Sequence, residues 1–269
     1  MVIGQKKLIK TIDQLVENQF PRFCIVVGAN GSGKKMISEY ISKKLKLNFV
    51  ICGTKVDEIR QIIQMAYTQK VPAMYVFPDT DNMSIIAKNA LLKITEEPPT
   101  NAYIIMTLCD INKTLPTLIS RGVLLTIEPY TKVNIKEFLK EYNYDLKEKE
   151  TELLINICNT PGDINTLISY GLTDFYEYCI QVLENIAVVD GANAFKIAQK
   201  LAVKDDGWDI RLFLDTISVI ALEALIDTKD KAYHEVIKLC SKYKSELSIT
   251  GINKQFLIDE WIIQIRKVL

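Results

Sequence analysis

The stretch Gly28-Ala-Asn-Gly-Ser-Gly-Lys-Lys35 constrains this chain more than any other. It follows an apolar run, Phe23–Val27, and opens a segment with helical spacing, so it reads as strand, glycine-rich loop and helix. Its spacing is G-x-x-x-x-G-K, with Gly28, Gly33 and Lys34 in the fixed positions. Glycines let the backbone curl until successive N–H groups point at one anion, and the following helix adds its positive end. The N–H groups of Asn30, Gly31, Ser32, Gly33 and Lys34 can therefore cradle phosphate, with the Lys34 ammonium as a point charge. A Ser or Thr hydroxyl that ligates Mg²⁺ normally comes next; here the residue is Lys35. An ammonium has no lone pair for a metal and repels it. The loop is built to hold phosphate and poorly built for metal-assisted hydrolysis.

The chain's 269 residues leave room for two domains and a sizeable core, and 48 % hydrophobic with 25 % charged residues is ordinary for a soluble globular protein. Lys+Arg and Asp+Glu are equal at 33 each, so any nucleic-acid contact needs a local patch. Lys43, Lys44 and Lys46 form one such cluster, at a helix end where basic residues also serve as a solvated cap. No signal peptide is expected from Met-Val-Ile-Gly-Gln, and Ile217–Ile226, an apolar run, is short and broken by Glu223, so no membrane association is expected. Six cysteines without C-x-x-C spacing disfavour structural zinc and a disulfide scaffold, and point to the reducing cytoplasm. A single histidine, His234, argues against histidine-based catalysis.

Short apolar strands are read at Phe23–Val27, Leu47–Cys52, Ala73–Phe77, Tyr103–Leu108 and Val123–Ile127, alternating with helix-patterned segments. This alternation predicts a parallel, doubly wound α/β sheet with its ligand at the carboxyl ends of the strands, where the loop lies. The third strand runs into Pro78-Asp79-Thr80-Asp81. Phosphate-loop proteins usually end this strand with a Mg²⁺-holding Asp, and many ATPases place beside it a Glu that activates water.

Three further motifs follow the family order of one group. They are Ile3-Gly4-Gln5, then Asn89-Ala-Leu-Leu-Lys-Ile-Thr-Glu-Glu-Pro-Pro99, then Thr117-Leu-Ile-Ser120-Arg121-Gly122. Together they resemble the clamp-loader branch of the AAA+ ATPases, which includes the delta-prime and gamma/tau subunits of bacterial DNA polymerase III and, more distantly, the small subunits of replication factor C. The resemblance is strong over residues 1–130. It implies an AAA+ nucleotide-binding-fold domain with a degenerate P-loop at 1–130, a helical lid at 131–171 and an all-helical collar at 172–269. Gly171–Asp174 reads as a polar connection at the last boundary.

Several roles do not carry over. Counted back from Asn89, the family's Mg²⁺-holding Asp falls on Pro78 and its catalytic acid on Asp79; sliding by one makes Asp79 the metal ligand but leaves Thr80 for the acid. The sensor-1 hydroxyl falls near Leu108-Cys109, with only Thr107 adjacent, and the sensor-2 arginine of G-D-x-R falls on Asn165. The four-cysteine zinc module of bacterial relatives has no room between Lys34 and Pro78. Arg121 is intact, and in the family it acts in trans as an arginine finger on a neighbour's ATP. The resemblance thus implies a delta-prime-like subunit that binds ATP or ADP weakly at Gly28, Asn30, Gly31, Ser32, Gly33, Lys34 and Lys35, holds Mg²⁺ poorly, and lacks zinc. Its expected partners are gamma/tau-like and delta-like subunits in a hetero-oligomeric ring, with the sliding clamp and primed DNA reached through the complex. An excess of apolar residues in the last helix (Phe256 and Ile263 beside Leu257, Ile258, Trp261, Ile262, Ile265, Val268 and Leu269) suits a collar. The rival readings are an ATP-hydrolysing gamma-type motor, a stand-alone P-loop phosphotransferase, and a DNA-binding module resting on the lysine cluster.

Overall fold

The computed structural model describes residues 3–190, 193, 194, 196, 201, 207–247, 249 and 251–269. Five strands, β1 (Phe23–Val27), β2 (Asn48–Ile51), β3 (Ala73–Phe77), β4 (Ala102–Leu108) and β5 (Val123–Thr126), form one sheet in the order β2-β3-β4-β1-β5. Every pairing is parallel. The order jumps across β1, which puts the loop after β1 beside the end of β4: the Gly28 N–H donates to the Leu108 carbonyl at 3.0 Å.

Both faces of this sheet are covered, so its central strands are runs of apolar residues, with Thr107 near the end of β4 the exception, instead of alternating with polar ones. Phe23, Ile25, Tyr75, Phe77, Ile104 and Met106 pack on one side with Ile59 of α3 (Val56–Thr68) and Leu91 and Ile94 of α4 (Ile85–Glu96). Cys24, Val26, Met74, Val76 and Ile105 face the other side with Leu8 and Ile12 of α1 (Lys6–Asn18) and Ile37 and Ile41 of α2 (Lys34–Leu45). The α4 helix begins four residues before Asn89 because the Ser84 hydroxyl accepts the Ala87 N–H at 3.2 Å. Ser84→Ala is expected to lower the unfolding free energy by about 1 kcal/mol, seen as a lower urea midpoint at unchanged slope.

The chain divides into two compact units, residues 1–143 with 159–162, and 144–158 with 163–269. The helices expected as a lid are shared between them: α6 (Lys132–Glu141) lies in the first, α7 (Glu148–Ile157) in the second, and α8 (Pro161–Ser169) begins in the first and continues in the second. The break expected at Gly171–Asp174 is instead the start of α9 (Leu172–Asn185), with Gly171 at φ 76° turning the chain into it. In the second unit α9 is followed by α10 (Ile210–Thr228), α11 (Lys231–Glu246) and α12 (Lys254–Val268). Most of the helix read at 192–204 lies outside the described residues. On α12, Leu257, Ile258, Trp261, Ile262 and Ile265 are buried, and Trp261 meets Phe213 edge-on at 5.4 Å. Phe256 stays 75 % exposed and Ile263 43 %, so the excess over core need faces outward.

In the lysine cluster, Lys44 is held by Asp13 at 3.0 Å, with the Asp13 carboxylate bonded also by the Tyr40 hydroxyl at 2.8 Å. These bonds, from Lys44 first, lower the Asp13 pKa, and Asp13 in turn raises that of Lys44. That is the chemistry of a solvated helix end. No described helix is long and apolar enough to cross a membrane.

Candidate nucleotide-binding site

The glycine-rich loop leaves β1 and turns into α2 through residues in the left-handed region, Gly31 at φ 73° and Gly33 at φ 89°. Two contacts fix its shape from outside. The Tyr130 hydroxyl donates to the Ser32 carbonyl at 2.9 Å, and the Gly162 N–H donates to the Gly31 carbonyl at 2.9 Å. The loop borders a cavity of ≈ 360 Å³, lined by Asn30, Gly31, Ser32, Gly33, Lys34 and Lys35, with Pro78, Asp79 and Thr107 on the opposite wall. Gly28 does not line it. Its carbonyl accepts from the Lys34 ammonium at 3.0 Å, and a Cβ there would lie 2.7 Å from the Ser32 hydroxyl.

Lys34 is buried, and its ammonium also reaches the Ala29 carbonyl at 3.1 Å and the Cys109 sulfur at 3.2 Å. The Ser32 hydroxyl is buried with no hydrogen-bond partner. An orphaned donor and a buried ammonium beside left-handed glycines fit a phosphate group. Lys34 and the loop N–H groups would hold it. Mg²⁺ fits poorly in the arrangement of an active ATPase. The hydroxyl position is Lys35, whose side chain is 65 % exposed with its ammonium 3.9 Å from Glu39, and the first residue after β3 is Pro78.

Thr107 is nearly fully buried and its hydroxyl accepts the Asp79 N–H at 3.1 Å. It is thus a cavity-wall hydroxyl at the end of β4. Asn165, in the second unit, is engaged by the Tyr144 hydroxyl at 2.5 Å. A neutral amide stands where the resemblance places the sensor-2 charge.

Arg121 follows α5 (Pro116–Ile119) and lies away from the cavity lining. Its guanidinium is a fork on two acceptors, Glu96 at 2.6 Å and the Thr117 carbonyl at 2.6 Å, with its side chain 34 % exposed. Sequence reasoning did not find Glu96 as its partner. The two are 25 positions apart, and no periodicity links the end of α4 to the turn after α5. It also missed Thr160 and Gly162 beside Gly31, and Cys109 beside Lys34 with Asp81 behind it, since these arrive from segments distant in sequence from the loop.

A parallel sheet in this order, with a glycine-rich loop at the carboxyl end of β1 and a helical second unit, is the fold of AAA+ P-loop proteins. A solved gamma subunit-related protein of DNA polymerase III from Thermotoga maritima shares the fold, with a TM-score of 0.54 at 15 % identity over 97 % of this chain and 99 % of that one. The Thermotoga maritima RuvB Holliday junction branch migration motor does so at a TM-score of 0.52 and 18 % identity, over 81 % of this chain and 77 % of that one. Residues 46–131 match a family model described as DNA polymerase III, delta subunit. DNA polymerase III subunit gamma of Buchnera aphidicola subsp. Acyrthosiphon pisum is 25 % identical over 171 residues, 52 % of this chain and 47 % of the relative. The gamma subunit of Buchnera aphidicola subsp. Schizaphis graminum is 24 % identical over 82 % of this chain and 72 % of the relative. The delta' subunit of Buchnera aphidicola subsp. Baizongia pistaciae is 34 % identical over 98 residues, 35 % of this chain and 29 % of the relative. The match thus spans about half the length of the first of these relatives, more of the second and less of the third. The chain is thus similar, over parts of its length, to clamp-loader subunits of DNA polymerase III of both the gamma and the delta' kind.

Proposed function

We propose that this chain is a delta-prime-type clamp-loader subunit. It takes its place in a hetero-oligomeric ring with gamma/tau-like and delta-like subunits, in the cytoplasm, and lends Arg121 to a neighbour's ATP while the ring loads a sliding clamp on primed DNA. One observation carries the reading: the guanidinium is intact and stands outside its own cavity, while that cavity lacks the parts that hydrolysis needs. The exposed Phe256 and Ile263 support α12 as part of a collar. The partition into a nucleotide-fold domain, lid and collar is part of the same proposal.

The second reading is a gamma-type motor that hydrolyses ATP itself. The preserved cavity of ≈ 360 Å³ and two relatives described as gamma subunits favour it. The purified protein separates the two. The delta-prime reading expects no Mg²⁺-dependent ATP turnover above background, and weak ATP or ADP binding by calorimetry that is nearly the same with Mg²⁺ or with EDTA. Lys35 then supplies part of the charge a metal would. Turnover of about one per second, abolished in Lys34→Ala, would establish the motor instead.

A further inference from the structure

We infer that Asp79, Asp81 and Cys109 form a binding site for a borderline divalent cation such as Zn²⁺ or Co²⁺. This rests on the isolated chain and stands whether or not the chain works in a clamp loader. One carboxylate oxygen of each aspartate and the cysteine sulfur lie within 4.8 Å of one another. The three come from two strand ends that the sheet makes neighbours: Asp79 and Asp81 follow β3, and Cys109 follows β4.

A second observation points to a ligand. Asp81 is 9 % exposed, and its Oδ1 is buried with no hydrogen-bond partner. Its Oδ2 accepts the N–H groups of Cys109 at 3.1 Å and Asp110 at 3.3 Å, which fixes the carboxylate plane. The nearby Lys88 ammonium donates to the backbone carbonyls of Asp81 at 3.0 Å and Lys113 at 2.5 Å. A buried carboxylate oxygen left without a donor costs about 1–3 kcal/mol, more for a charged group, and a cation beside it removes that cost.

The donor set chooses the ion. A thiolate with two carboxylates favours Zn²⁺ or Co²⁺, whereas Mg²⁺ demands oxygen ligands in near-ideal octahedral geometry. Tetrahedral zinc with Zn–O near 2.0 Å and Zn–S near 2.3 Å sets ligand atoms about 3.3–3.5 Å apart. Side-chain rotation of about 1 Å therefore closes the site. The Cys109 thiol releases its proton to solvent as the metal–sulfur bond forms. The Lys34 ammonium, 3.2 Å from the same sulfur, must then move off it. A phosphate in the loop would draw Lys34 that way, so phosphate and cation favour each other, and by linkage the coupling is reciprocal. Asp79 also lines the cavity beside the glycine-rich loop.

Cobalt titration of the full chain tests this, because a thiolate bound to Co²⁺ gives a sulfur-to-metal charge-transfer band in the near ultraviolet. The described structure helps the assignment, since Cys24, Cys52, Cys158, Cys179 and Cys240 are all buried. The expected result is a band that saturates at about one cobalt per chain, vanishes in Cys109→Ser, and is displaced by Zn²⁺ but not by excess Mg²⁺. Asp81→Asn should weaken cobalt binding roughly tenfold or more. Asp79→Asn, at an exposed position, should do the same and guards against a folding defect in the Asp81 variant. Absence of the band, its persistence in Cys109→Ser, or its displacement by Mg²⁺ would overturn the site.

Discussion

Arg121→Ala is expected to leave the isolated protein folded and to lower ATPase and clamp loading of the reconstituted complex by at least about tenfold, or about 1.4 kcal/mol of transition-state stabilisation. The stability side follows from exposure. The Arg121–Glu96 pair is half in solvent, with side chains 34 % and 48 % exposed, and such pairs are worth about 0–1 kcal/mol. The rate side follows from chemistry. A planar, permanently charged fork can bridge oxygens of a γ-phosphate and stabilise the charge that spreads over them during transfer. Glu96 holds that fork in a defined direction, and on the delta-prime reading a neighbour's nucleotide would compete with it for the guanidinium. Lys34→Ala in the same complex should do much less, because on the delta-prime reading the cavity it serves is not the one that turns over. Steady-state ATPase of the complex containing each variant checks this. If Lys34→Ala proved the more damaging, the active site would belong to this chain and the trans role would have to be abandoned.

Gly31→Ala is expected to destabilise the fold by about 2–5 kcal/mol and to abolish nucleotide binding. Two costs add. At φ 73° an L side chain is strained by about 1–2 kcal/mol. The new Cβ would also lie 2.6 Å from the Thr160 hydroxyl oxygen and 3.0 Å from the Gly162 Cα, an overlap of the kind that costs roughly 1–3 kcal/mol. Gly33→Ala is the control. Its φ of 89° carries the same strain, yet its nearest neighbour is a Met36 atom at 3.9 Å, so only the first cost applies. Urea unfolding of both variants separates the terms. A loss in Gly31→Ala no greater than in Gly33→Ala would show that Thr160 and Gly162 do not clamp the loop.

How much of this was legible beforehand follows the range of the interactions. The strands at Phe23–Val27 and Ala73–Phe77 are found as read, because a strand buried on both faces shows as a continuous apolar run. The read at Leu47–Cys52 shortens to Asn48–Ile51 at the sheet edge, although the Cys52 N–H still reaches the Val76 carbonyl at 2.8 Å. The glycine-rich loop was legible because phosphate binding, where a loop performs it, needs glycines and a lysine at fixed short spacing. Gly28 shows the limit of motif reading, since its place in the pattern reflects close packing on Ser32 and Ile127 and not contact with the cavity. The Glu96–Arg121 pair, the Gly31–Gly162 clamp and the Asp79–Asp81–Cys109 cluster join segments far apart in sequence, so no local pattern signals them. Gly171 reads in the sequence as part of a polar connection; in the structure it is a left-handed glycine beside the buried Leu172, at the start of a helix.

Assembly is the most direct measurement of the central claim. The chain would be mixed with the gamma-type and delta-type subunits of its own genome, purified by size exclusion, and assayed for loading of the matching clamp onto primed DNA. The clamp-loader reading predicts a stable hetero-oligomer whose loading activity disappears when this chain is omitted and returns when it is added. A chain that stays monomeric among those subunits, while turning over Mg²⁺-ATP on its own, would contradict it.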